Sequence, residues 1–178
     1  MTNYKKNNTM IKRIIPILLC ILTVSCKNSN DPEDWISKNK YYFNHMKDST
    51  SYILYNIPEI EGGHSYYYTI LAQGIQSDTI LSDTTKVLIN YRIRLISGAV
   101  VEETYSQNSV LNDSTAKPHW FYIYSLASSG VVKNIKQMKI GEIRRCVLPE
   151  ELAFFTFTEN YPQHSTLIID TQLINIQN

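Results

Sequence analysis

Three cysteines are spread over the 178 residues, too few and too badly placed for a disulfide framework. Cys20 and Cys26 lie in and just after an N-terminal apolar run, which leaves Cys146 without a partner. No histidine or second-cysteine motif sits beside Cys146, so it reads as a buried, inert thiol within a strand. Glycine is scarce, six in all, and no glycine cluster forms a loop that could cradle a phosphate. No G-x-S-x-G elbow marks a serine hydrolase. His45, His64, His119 and His164 lack metal-ligand spacing, so no metal and no other cofactor is expected. Lysine and arginine are dispersed rather than clustered, which argues against a nucleic-acid partner. Internal repeats and low-complexity tracts are missing, and no apolar run approaches the roughly 20 residues needed to cross a bilayer.

The N-terminus carries the pattern of a secretion signal. Lys5, Lys6, Lys12 and Arg13 form a basic head, residues 14–24 are an apolar stretch, and Cys26 follows Ser25 at its end. A small residue before a cysteine at this place resembles the bacterial lipobox, whose cysteine is acylated and becomes the new N-terminus. Thr23 departs from that pattern, in which leucine is commoner. The expectation is a lipoprotein signal over residues 1–25, lipidation at Cys26 and a polar tether at 27–30. The protein would then sit on a bacterial membrane, by preference the outer one, on its periplasmic or surface face. An ordinary signal peptide with a chance cysteine is the alternative. Residues 1–25 hold four basic and no acidic residues, so their removal moves the formal charge from +1 to −3. The remainder is long enough for one domain with its own core.

Asp31 as N-cap, Pro32 at the first helical position and Glu33 and Asp34 in the first turn announce a helix over 32–47. Trp35, Ile36, Tyr42, Phe43 and Met46 recur on one of its faces and are expected to pack against the domain. A short strand is expected at 52–57, and another at 66–74. Residues 86–96 alternate, with Val87, Ile89, Tyr91, Ile93 and Leu95 on one face and Asn90, Arg92 and Arg94 on the other: a half-buried strand. Ser97-Gly98 supplies a turn, 99–105 a further strand, and the polar 107–117 a loop. Val131, Ile135 and Met138 fall at helical spacing within 129–138. Gly141 ends that pattern, 142–148 follows as strand, 149–155 as an aromatic loop, and a long closing strand runs to Ile176. The thirteen tyrosines suit half-buried strand positions. Tyr66, Tyr67 and Tyr68 point to alternate faces and cannot form one carbohydrate platform.

This order of helix, glycine turn, strand, aromatic loop and closing strand resembles the second half of the FKBP-type peptidyl-prolyl isomerases. Their helix runs from Gly-Trp to Met and Gly, and their closing strand carries the Ser/Ala-Thr-Leu run seen here at Ser165-Thr166-Leu167. Tyr91 and Gly98 fall on the family's hairpin pattern, and the likeness covers roughly residues 65–177. It implies an α+β fold: an antiparallel sheet wrapped on the short helix, as an FKBP-like domain over 65–178. Residues 26–64 would be a tether and an extra N-terminal helix.

The resemblance also implies a pocket, with departures. Tyr91, Glu102 and Phe154 fall on the catalytic positions, and Val101, Phe121, Val131, Tyr161 and Ile169 on substrate-binding ones. The family's Phe-Asp pair becomes Val101-Glu102 and its floor tryptophan becomes Val131. Its carbonyl-binding tyrosine becomes Phe154, which keeps the ring and loses the donor. Its flap isoleucine becomes Tyr161, and its closing-strand phenylalanine becomes Ile169. Its Val-Ile pair falls near Ala127-Ser128. Phe121 leads as the remaining ring, with His119 and Trp120 as alternatives.

Prolyl isomerisation needs no nucleophile or metal. The barrier is the partial double bond of the amide, about 18–20 kcal/mol, and a dry aromatic pocket that favours the twisted amide lowers it. The implied function is an isomerase or folding helper, weakened by the substitutions. It would act on proline-containing segments of envelope proteins, with the membrane as a second partner through the lipid. The alternative is an isomerase-fold lipoprotein that binds peptide without useful catalysis. An unrelated β-rich surface lipoprotein is a third reading.

Overall fold

The computed structural model describes residues 32–58, 63–75, 81–105, 115–153 and 162–177. Cys26, Phe154 and Tyr161, and with them the signal and lipidation readings, lie outside the described residues.

The chain opens with helix α1 (Pro32–His45), which tightens into a 3-10 turn at Met46–Asp48. Strands β1 (Ile53–Asn56) and β2 (Ser65–Ala72) follow, then β3 (Lys86–Leu95), β4 (Val100–Glu103) and β5 (His119–Tyr122). A 3-10 turn at Ile123–Ser125 leads to α2 (Ser129–Ile135), β6 (Ile143–Leu148), α3 (Glu150–Ala153) and β7 (Leu167–Gln177). The sheet runs β1-β2-β6-β7-β3, and β3 then pairs with β4 near its C-terminal end and with β5 near its N-terminal end. Every pairing between strands is antiparallel. With the helices, this is an α+β architecture.

The alternation read in β3 holds: Val87, Ile89 and Ile93 are buried on the face that meets α2. Ile135 and Met138 of the α2 region pack with Val87, Ile89 and Leu173, and Val131 joins the neighbouring cluster around Ile93 and Ile169. Regular α2 hydrogen bonding is shorter than the expected 129–138. Its last turn tightens, with Gln137 and Met138 donating to the Asn134 and Ile135 carbonyls. Ser128 caps the start, its Oγ accepting from Val131 N at 3.2 Å and donating to the Leu152 carbonyl at 2.7 Å. Gly130 is required here, because a Cβ would lie within 3.0 Å of the Leu148 methyls and of the Leu152 carbonyl oxygen. Gly98 closes the β3–β4 hairpin with φ of 86°, a conformation that favours glycine.

The opposite face of the sheet carries α1. Met46 packs with Tyr67 and Val147, helped by Tyr42 and Phe43, as the helix stripe implied. Asn39 binds the start of β7, its Oδ1 accepting from Thr166 N at 2.7 Å. Residues 32–58 thus add an outer helix and an edge strand to the sheet that residues 65–177 build. On this face Asp170 accepts a bidentate pair from Arg145 (2.6 and 2.9 Å) and a further bond from Arg94 at 2.8 Å.

The segment expected as an aromatic loop begins instead with one helical turn, α3. Pro149 starts it, and Leu152 N donates to the Pro149 carbonyl at 3.0 Å. Between α2 and β6 a buried ion pair forms, Arg144 Nε to Glu142 Oε1 at 2.6 Å. The second Glu142 oxygen accepts from Lys139 N, while Arg144 also reaches the Gln137 carbonyl and stacks over Tyr68.

Candidate functional site

Alternation along β3 and β7 aims Ile89, Tyr91 and Ile93, and opposite them Ile169 and Thr171, at the concave side of the sheet. Together with α2 and the turn before it, they enclose a cavity of about 220 Å³. Its walls are Glu102 from β4, Phe121 from β5, the run Ser125, Leu126, Ala127 and Ser128, and Val131 from α2. Five of the residues expected in the pocket therefore meet in one place: Tyr91, Glu102, Phe121, Val131 and Ile169. Ala127 and Ser128 stand where the resemblance placed the Val-Ile pair.

Tyr91 and Glu102 are linked directly, the tyrosine hydroxyl donating to the carboxylate Oε1. Burial first, and that hydrogen bond second, push the Tyr91 hydroxyl above its ordinary pKa. It therefore keeps its proton throughout the physiological range. The Tyr91 backbone N–H donates to Thr104 Oγ1 at 2.9 Å, which fixes β3 against the strand that carries Glu102. Phe121 meets Tyr91 edge to face, with ring centroids 6.2 Å apart and planes at 63°. This selects Phe121 among the three ring candidates. Trp120 points to the other side of β5 and is 42% exposed, and His119 touches Phe121 without lining the cavity.

Val101 is a correction. Glu102 pairs with Ile93 but Val100 with Arg94, so Val101 is the extra residue of a bulge and does not line the cavity. Ile89 and Ile93 supply apolar surface to the wall. Ile89, Ile93, Ser125, Leu126 and Thr171 also line the cavity without having been singled out for it in the sequence. Ile89, Ile93 and Thr171 were the readable ones, since each lies two residues from Tyr91 or Ile169 on a strand.

Residues 78–174, more than half of the chain, match the FKBP-type peptidyl-prolyl cis-trans isomerases. The chain belongs to that family. The crystal structure of FkpA from Escherichia coli is similar, with 22% identity and a TM-score of 0.62 over 82% of this chain. The chain spans 60% of that protein's length. A peptidyl-prolyl cis-trans isomerase from Pseudomonas syringae pv. tomato shares 19% identity at a TM-score of 0.62, over 83% of this chain and 97% of that one. The structure of the three FKBP domains of wheat FKBP73 is similar at 20% identity and a TM-score of 0.51, over 62% of this chain and 44% of that one. At these identities the likeness is one of fold. No curated protein matches the chain in sequence.

Within the FKBP fold the cavity lies between the concave sheet face and the helix. Its lining is mostly apolar, with two rings meeting edge to face and one hydroxyl held by a carboxylate. No cluster of three or more metal-ligating side chains occurs among the described residues.

Proposed function

We propose that this protein is a prolyl isomerase of the bacterial cell envelope, lipid-anchored through Cys26 and acting on proline-containing segments of envelope proteins. The observation that carries the enzymatic part is the cavity of about 220 Å³, framed by the Tyr91–Glu102 pair and the Phe121 ring. The volume is below the roughly 300 Å³ at which drug-sized ligand sites begin, and it suits a single inserted side chain. A prolyl ring entering it leaves water, and the planar amide, with its larger dipole, loses more solvation than the twisted one. Ile89, Ile93, Val131 and Ile169 supply the apolar contact, and Tyr91 holds Glu102 at the mouth.

Catalysis is proposed to be weak. Val131 offers no flat floor to the ring, and the substitution at Phe154 removes a hydroxyl donor. Losing one hydrogen bond costs about 0.5–1.5 kcal/mol, and a buried tryptophan's contact a few kcal/mol more. Turnover about a hundredfold below a standard family member is expected. Following cis-to-trans exchange of a proline peptide by NMR tests this. Turnover equal to a standard member refutes the weakened pocket, and none above the uncatalysed rate refutes the enzyme. Val131 on the cavity wall also favours a second reading, in which the same cleft binds proline-containing peptide without useful catalysis. Binding without turnover is its signature.

A further inference from the structure

The polar atoms around the cavity are almost all engaged. Tyr91 donates to Glu102, Ser125 Oγ donates to the Tyr122 carbonyl at 2.7 Å, and Ser128 Oγ bonds both Val131 N and the Leu152 carbonyl. Thr171 is the exception. It lines the cavity, is 1% exposed, and its Oγ1 is buried with no hydrogen-bond partner. A hydroxyl left in that state is unfavourable, and native folds rarely keep one without a use.

The strand register places it. Thr171 pairs with Tyr91 on one side and with Arg144 on the other, and shares its face with Ile169 and Leu173. Its side chain is therefore aimed at the inner face, beside Tyr91 on the neighbouring strand. A threonine exchanges hydroxyl and methyl by rotation about χ1 within nearly the same volume.

We propose that Thr171 is a specificity-determining residue, whose hydroxyl hydrogen-bonds an oxygen carried by the group that enters the cavity. The inference deepens the isomerase reading above and rests on it for the class of occupant: a prolyl segment whose inserted group bears a hydrogen-bonding oxygen. The cavity is several times the roughly 30 Å³ of a water molecule, so a substituted ring fits. A buried polar group that only the right ligand satisfies discriminates against ligands that lack the partner.

The test uses the full chain and two peptides, Ala-Leu-Pro-Phe and the same peptide with hydroxyproline in place of proline. Binding is measured by calorimetry and exchange by NMR, for the wild type, Thr171→Val and Thr171→Ser. The readout is the preference for the hydroxyproline peptide in each variant, so intrinsic differences between the rings cancel. Wild type and Thr171→Ser should show a preference about threefold to tenfold larger than Thr171→Val. Thr171→Val should melt at the same or a higher temperature, because it removes an unpaired hydroxyl in an isosteric exchange. Equal preference in wild type and Thr171→Val overturns the proposal, as does a marked loss of thermal stability in Thr171→Val. Failure of both peptides to bind also overturns it. Hydroxyl-dependent binding without turnover sustains Thr171 while refuting the enzyme, and turnover indifferent to Thr171 does the reverse.

Discussion

Cys146 illustrates how a single side chain responds to being enclosed. Burial, and secondarily the negative charge of Asp170, push its thiol from an ordinary value of 9.0 up to about 12. Between those values the unfolded chain has lost a proton that the folded chain retains, so stability falls as pH rises from about 9 to about 12. The tyrosine hydroxyls of Tyr66 and Tyr91, raised by burial, act in the same direction. Cys146→Ala should therefore lose less stability over that window than wild type, while being less stable at neutral pH because packing is lost. Denaturant unfolding at a series of pH values measures both. Identical slopes would show that the thiol is not what titrates. In the native state at pH 8 the thiol should stay unreactive towards alkylating reagents.

Val131 is the residue through which the proposed weak catalysis is best tested. Its side chain stands at the cavity wall beside Ile169 and Tyr91. Val131→Trp together with Phe154→Tyr should raise turnover of a proline peptide at least tenfold, or about 1.4 kcal/mol of barrier. A folded double variant that gains nothing would leave the cleft as a binding site alone.

At the scale of elements, the α2–β6 connection holds the pocket's helix to its sheet. Glu142 and Arg144 are 1% and 4% exposed and pair with one another, so removing one partner strands a charge in the core. Glu142→Ala should cost about 3–5 kcal/mol, whereas replacing both by apolar residues of similar volume should recover most of it. Met138 is 6% exposed in the cluster of Ile135 and Leu173, and Met138→Ala should cost about 2–5 kcal/mol. Thermal unfolding of each variant decides these values.

The elements also show what a sequence can and cannot reveal. The alternation of β3, the helical spacing of Val131, Ile135 and Met138, and the acidic first turn of α1 are local patterns; β3 and α1 formed where they stood, and α2 formed over Ser129–Ile135, short of Met138. The bulge at Val101, the helical turn of α3 and the burial of Glu142 with Arg144 depend on partners distant in the chain or on hydrogen-bond register, and no local pattern announces them. The pocket was legible to the same degree. Tyr91, Glu102, Phe121, Val131 and Ile169 followed from motif position, while Ile89, Ile93 and Thr171 line it because strand neighbours two apart share a face.

For the whole molecule, the open matter is where the domain works. The fold places α1 on the sheet face opposite the cavity-lining helix, with Trp35 Nε1 donating to the Gln163 carbonyl at 3.2 Å. A chain entering α1 at Pro32 from a lipidated Cys26 has only a few residues of tether. Three acyl chains would hold it essentially permanently, where one chain binds only marginally. A lipid at Cys26 would thus keep α1 near the bilayer and leave the cavity, on the other side of the sheet, open to passing chains. No helix among the described residues is long and apolar enough to cross a membrane. In the proposed arrangement attachment runs through the lipid on Cys26. Cys26→Ala should move the protein from the membrane fraction to the soluble one without changing its melting temperature. An Ala variant that still sediments with membranes, or a wild type whose Cys26 is unmodified by mass spectrometry, would overturn the anchor.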